Sequence, residues 1–238
     1  MGFVDIHSHI LPGLDDGPET IEASFDMLRK AYQEGFMTII ATPHCSKGFR
    51  TYTKDDVTNL CDILNTYAQQ NIDTEFKVLP GQEIYYNESA LDLIRNEKVV
   101  TLGGSEFVLL EFSPDITFSH MLRAIREVSM TKHSIVLAHI ERYPCLYDFN
   151  NLQQLRQMGI YIQMNYSSFG DGFLSKHTRF CRKCLRNGLI DFLATDMHDD
   201  NVRGPNTKKA IQWMHKHLDS EYVRRITETN ALNIIFKE

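Results

Sequence analysis

"FVLLEFSPDITFSHMLRAIREVSMTKHSIVLAH" spans residues 107–139. Two short apolar runs, FVLLEF (107–112) and SIVLAH (134–139), flank a helical segment at 118–131. Both runs are continuous rather than alternating. That suits strands covered on both faces of a parallel sheet.

The same unit recurs in both directions along the chain. Upstream, FVDIH (3–7) predicts a strand and 19–35 a helix, opened by Pro18 and closed by Gly35. MTIIATPH (37–44) predicts a strand and 54–70 a helix; FKVLPGQEIY (76–85) is strand-like and 88–96 helical. VVTLG (99–103) offers an additional short strand. Downstream come a helix at 149–158, a strand IYIQMN (160–165), a helix at 174–187 and a strand DFLATD (191–196). Helices at 205–218 and 220–236 close the chain. About seven β-α units without a Gly/Ser-rich linker predict one α/β domain over 1–238, closed or nearly closed into a barrel. An open doubly wound sheet is the alternative.

Composition sets outer limits. The 238 residues hold 42% apolar and 24% charged side chains, as in an ordinary globular protein, with a net charge of -6. No basic arm or stripe stands out, which counts against nucleic acid. No apolar run nears the roughly 20 residues that span a bilayer, so no membrane insertion is expected. No signal peptide is evident, and a cytoplasmic location is the default expectation. Five cysteines at irregular spacing argue against a disulfide framework. The lone CxxC, Cys181 and Cys184, is read as ordinary helix.

Polar residues gather at the strand ends. His7 and His9 end the first strand, and Asp15 and Asp16 follow within a few residues. His44 ends the second, Glu83 the third and Glu111 the run at 107–112. His139, Asn165, and Asp196 with His198 end the later strands. If the strands are parallel, all lie on the C-terminal rim, where barrel active sites are built. A lone His at a strand end is usually a loop residue. So many imidazoles and carboxylates on one rim require compensating positive charge, and metal cations supply it. His7, His9, Asp16, His44, Glu83, Glu111, His139, Asp196 and His198 are too many ligands for one ion and suit two or three. Such a site activates water and clamps a phosphoryl oxygen, which points to phosphate ester hydrolysis.

Arg142, in HIERYP, and Arg203, in DDNVRGP, lie on loops of the same rim and suit phosphate recognition. Arg50, in CSKGFRTY, is a weaker third candidate for substrate binding. No GxxxxGK[ST] loop and no GxSxG elbow occurs. No cysteine has an arginine six positions on. A cysteine nucleophile is therefore not expected.

DIHSHILPGLDDGP, TPH, GQEI, LLEF, LAHIERYP and LATDMHDDNVRGP together resemble the polymerase-and-histidinol-phosphatase (PHP) superfamily. Within it the chain resembles the bacterial manganese-dependent protein-tyrosine phosphatases of capsule and exopolysaccharide operons, the CpsB/YwqE type. The resemblance runs from residue 3 to the C-terminus. It implies a distorted (β/α)7 TIM-like barrel with three divalent metals: manganese first, with iron, zinc or magnesium as other ions such ligands accept. His7, His9, Glu83 and Asp196 would hold one metal. Glu83, Glu111 and His139 would hold a second, with Glu83 bridging. Asp16, His44 and His198 would hold a third; the choice of Asp16 over Asp15 follows the family pattern, because spacing alone does not separate them. Arg142 and Arg203 match phosphate-binding arginines. His44 and His198 are candidate proton donors to the leaving group. The implied substrate and partner is a phosphorylated bacterial tyrosine kinase that controls polysaccharide export. A histidinol-phosphatase or other small-molecule phosphoesterase, an amidohydrolase and a non-enzymatic metal-binding module are the alternatives.

Overall fold

The computed structural model describes residues 2–45, 51–170, 172 and 175–236. Among them the order is β1 (Phe3–Ser8), α1 (Ile21–Gln33), β2 (Phe36–Ala41), β3 (His44–Cys45), α2 (Lys54–Asn71), β4 (Lys77–Pro80), β5 (Glu83–Tyr85) and α3 (Glu88–Arg95). Then follow β6 (Phe107–Glu111), α4 (Phe118–Ser129), β7 (Ser134–Leu137), α5 (Phe149–Gln157), β8 (Tyr161–Asn165), α6 (Lys176–Arg186) and β9 (Phe192–Ala194). α7 (Lys208–His217), α8 (Ser220–Arg224), a π-helical turn (Arg225–Thr229) and α9 (Asn230–Phe236) close the chain.

Helix starts follow local chemistry. Thr20, Thr53, Asn87, Thr117, Asp148, Ser175 and Asp219 each cap a helix by accepting a backbone N–H in the first turn. The cap on α1 is Thr20, so Pro18 lies before the helix. Helix and strand ends elsewhere differ from expectation by a few residues.

Every strand pairing is parallel. One sheet runs β1-β2-β4 and the other β3-β5-β6-β7-β8-β9. Ser8 bridges Met197 in parallel, which joins the first strand to the chain after the last. The expected strands 37–44 and 76–85 are each bent into two pieces, β2/β3 and β4/β5. The bends have causes. Pro43 has no N–H to give the ladder. At Gly81 a Cβ would lie 2.8 Å from Ile40 Cγ2, so the close approach of the bent strands requires glycine. Counting each bent pair as one strand gives seven around the curled parallel sheet, as the fold expectation had it.

The extra strand at 99–103 does not form. Val100 N–H donates to the Gln82 side chain at 2.7 Å instead of to a neighbouring strand. Leu102–Gly104 make a 3-10 turn in which Gly103 has φ 58.

Side chains alternate across the sheet. Val4, Ile6, Ile40, Phe107, Leu109, Val136, Phe192 and Ala194 fill the interior. Ile39, Val108, Leu110, Ile135, Leu137 and Leu193 pack outward against the helices. Strand ends thus become a rim of polar groups above an apolar floor.

Candidate metal centre

On β6 the inward series Phe107 and Leu109 continues to Glu111, so strand period alone aims this carboxylate at the centre. His139 has the opposite parity: it follows Leu137, which points outward. Its φ of 29 breaks the extended backbone, and its Nε2 then reaches Glu83 Oε1 at 2.8 Å and Glu111 Oε1 at 3.3 Å. Asp196 also has positive φ, 54. Non-glycine residues rarely adopt this conformation. Two such residues on one rim mark a place where side-chain position overrides backbone comfort.

Three sets of donor atoms each lie within 4.8 Å of one another: His9, Asp16, His44 and His198; His7, His9 and Asp196; and His44, Glu83 and Glu111. Glu83 sits in the middle. Its Oε2 is 3.2 Å from both His7 Nε2 and His9 Nε2 and 3.0 Å from His44 Nδ1. Asp196 Oδ1 is 3.4 Å from the Nε2 of His7 and of His9. Asp16 Oδ1 is 3.3 Å from His198 Nε2 and 3.6 Å from His44 Nε2. All nine predicted ligands are therefore together on the rim.

Four of the five imidazoles share a second feature. Each turns Nε2 to the centre and uses Nδ1 against a fixed outer partner. His9 Nδ1 meets Asp15 Oδ2 at 2.7 Å and His198 Nδ1 the Asp196 carbonyl at 2.9 Å. His7 Nδ1 faces Gln163 Oε1 at 3.3 Å and His139 Nδ1 the Tyr143 hydroxyl at 3.4 Å. Outer partners of this kind fix tautomer and ring orientation in metal-binding histidines. The donor set, nitrogen and carboxylate oxygen without thiolate, fits hard to borderline divalent cations.

Electrostatics agree. Burial would raise Glu83, yet His7 beside it and hydrogen bonds with His139 and His44 hold it well below the carboxylate range. Asp196 is likewise held down by His7 and His9 against its burial. Burial would lower His139, but Glu111 and Glu83 raise it to about 10. His198 goes the other way, to about 3, through burial and the charge of His9. These carboxylates stay ionised and demand cations.

Arg142 donates to Asp196, and Arg203 Nη1 donates to Asp16 Oδ2 at 2.9 Å. Their side chains are 39% and 45% exposed, against 1% for Glu83 and His139. Both predicted arginines thus stand at the mouth. Arg50 lies outside the described residues.

Other roles escaped the sequence. Asp15 accepts from the His44 N–H at 2.9 Å as well as from His9. Gln163 accepts the His139 N–H at 2.7 Å and passes a hydrogen bond to Asn165, which donates to Asp196. The available signal was one amide inside the apolar run IYIQMN. Asp5, fully buried and raised to about 6 by that burial, accepts from Thr195 and ties β1 to β9 beneath the centre.

The capsular polysaccharide synthesis family CpsB/CapC matches residues 3–236. This chain belongs to that family. Relatives named CpsB and YwqE cover it almost end to end. The tyrosine-protein phosphatase CpsB of Streptococcus agalactiae is 31% identical over 98% of both chains. The tyrosine-protein phosphatase YwqE of Bacillus subtilis is 31% identical over 96% of this chain and 90% of its own. A solved structure from work on YwqE of B. subtilis and CpsB of Streptococcus pneumoniae, described as unique metal-dependent tyrosine phosphatases, superposes with a TM-score of 0.86. It shares 27% identity and covers 98% of this chain and 94% of that one. The family and barrel expected from the motifs are both borne out. No helix among the described residues is long and apolar enough to cross a membrane.

Proposed function

We propose that this chain is a metal-dependent phosphatase that removes phosphate from tyrosine in proteins. The observation that carries it is the four-fold pattern of inward Nε2 and anchored Nδ1 around Glu83. His7, His9, Glu83 and Asp196 would hold one divalent cation; Glu83, Glu111 and His139 a second; Asp16, His44 and His198 a third. Manganese is the proposed ion. When bound, such ions polarise the phosphoryl group and activate water.

The chain's own residues do the rest. Arg142 and Arg203 swing from Asp196 and Asp16 to phosphoryl oxygens, where their forked donors bind the ester and then the charge of the transition state. Glu83 stays ionised throughout. Tyrosinate, with a pKa of about 10, leaves with little help. Of the candidate proton donors, His198 is pushed down to about 3 by burial and the charge of His9, so it is neutral at pH 7 and has no imidazolium proton to give.

The proposed substrate is a phosphorylated bacterial tyrosine kinase of the capsule or exopolysaccharide type, and the proposed location is the cytoplasm. The family's description, capsular polysaccharide synthesis, supports the capsule part of that reading. The test is side-by-side turnover of a phosphotyrosine peptide and histidinol phosphate by manganese-loaded protein, with metal analysis. Faster turnover of the peptide supports the reading; preference for histidinol phosphate overturns it.

A further inference from the structure

The molecule is acidic overall, yet one helix is not. α6 carries Lys176, Arg179, Arg182, Lys183 and Arg186 in 11 residues, with no Asp or Glu. The expectation of no basic stripe is corrected here: helical spacing applied to the charges of the segment aligns them on one face. Lys176, Arg179, Lys183 and Arg186 are the exposed residues of the helix. Their spacing of 3, 4 and 3 puts them on one face. The row is about 15 Å long at 1.5 Å per residue. Among the described residues none of the four forms an ion pair with an acidic side chain.

The row is fixed in place from beneath. Lys176 Nζ lies 5.6 Å from the Tyr147 ring centroid, Lys183 Nζ 3.8 Å from that of Phe149, and the Arg186 guanidinium 5.4 Å from that of Trp213. Aromatic faces hold these cations while leaving their donors to solvent.

The row also starts at the rim end of its helix. β8 ends on the rim at Asn165, so the N-terminus of α6 is its rim end. Tyr147, under Lys176, donates its hydroxyl to the Glu141 carbonyl at 3.1 Å, and its oxygen is 3.2 Å from His177 Nδ1. Glu141 precedes Arg142. Arg182 donates to the carbonyls of Phe169 and Gly170 on the rim loop. One side chain, Tyr147, thus connects the basic row to the turn that carries the mouth arginine.

We propose that the exposed face of α6 is a docking surface for an acidic peptide segment flanking the phosphotyrosine. This rests on the phosphatase reading of the rim. An extended peptide places about 3.3 Å per residue, so the row matches four or five residues of acidic chain. A membrane is the poorer occupant: the face offers no apolar side chain to insert, and the exposed large apolar residues, such as Ile63, Met130 and Val202, lie elsewhere.

The experiment compares wild type with a variant carrying Lys176→Gln, Arg179→Gln, Lys183→Gln and Arg186→Gln. A control variant removes four other exposed cations, Arg95, Arg123, Arg126 and Lys132. Glutamine keeps helix propensity. Three measurements are made at low salt: turnover of a small aryl phosphate, turnover of a Glu-rich phosphotyrosine peptide, and binding of the same peptide by fluorescence anisotropy. The expected result is a loss of about tenfold or more in peptide affinity and kcat/KM for the α6 variant only, erased by about 0.5 M salt. Aryl phosphate turnover stays within about twofold, since those cations lie outside the centre. Equal peptide binding by wild type and the α6 variant overturns docking, whatever the turnover. So does stronger discrimination by anionic vesicles or single-stranded nucleic acid than by the peptide. Absence of all turnover with α6-dependent peptide binding intact rejects the phosphatase reading and keeps the surface.

Discussion

Asp15 Oδ2 lies 2.7 Å from His9 Nδ1 and, from the same oxygen, 2.9 Å from the His44 backbone nitrogen. One carboxylate therefore sets the ring of one predicted ligand and the backbone of another. Burial would raise Asp15, but its hydrogen bonds and the charge of His9 hold it at about 2. Asp15→Asn keeps the shape and removes the charge. Metal affinity falls by about 10- to 100-fold, and activity returns at higher manganese concentration. Activity measured against manganese concentration checks this; overlapping curves for variant and wild type reject the positioning role.

His139→Ala removes an imidazole that reaches both Glu83 and Glu111. Bound metal falls by about one equivalent and kcat by a factor of about 100 or more. Elemental analysis beside turnover is the measurement. Near-normal turnover contradicts the ligand assignment.

Chelation acts on the whole rim. Excess chelator abolishes hydrolysis of phosphotyrosine peptide, and manganese restores it. Turnover that survives exhaustive chelation, with metal content shown to be nil, sinks the metal mechanism.

The barrel was legible because continuous apolar runs and regular helices both leave local marks, and the strand-end residues could be placed on one rim from strand direction alone. What stayed hidden depends on contacts distant in sequence. Gln163 looks like one polar residue in a strand until the fold brings it under His7 and His139. The strand expected at 99–103 failed because Gln82, 18 residues earlier, took the Val100 N–H. Asp15 and Asp16 are neighbours that face different partners: Asp15 turns to His9 Nδ1 and the Gly17 N–H, Asp16 to His198 and His44 Nε2. The basic face of α6 needed helical periodicity applied to charge as well as to apolar residues.

We expect the cysteines to take no part in the chemistry. Cys181 and Cys184 are buried in α6, and burial pushes Cys184 up to about 12 and Cys181 further. Burial lifts Cys61 to about 12 as well. Thiols so raised are almost wholly protonated at neutral pH and poor nucleophiles. Replacing all five with alanine leaves kcat within about threefold while lowering thermal stability, because three lie in the core. Loss of turnover in a variant whose circular dichroism is native reopens a cysteine mechanism.

Protons and metal compete for the same nitrogens. Without a cation, His139 is raised from 6.5 to about 10, since Glu111 and Glu83 outweigh its burial. His9 is raised too: burial would lower it, but Asp15, Asp196 and Glu83 prevail. His139 is therefore an imidazolium, protonated on both ring nitrogens, at neutral pH in the metal-free protein. Ligation through Nε2 requires the proton there to leave, so metal binding releases protons. Apparent affinity then rises with pH, by about one order of magnitude per unit for each proton displaced. The stability of the metal-free protein runs the opposite way. The pairing of His139⁺ is fully present below pH 6.5 and is lost as pH rises through 10. Manganese titration by calorimetry, in two buffers of different ionisation enthalpy, counts the protons. At least one proton released per chain at pH 7 is expected; zero release would falsify ligation by a protonated His139.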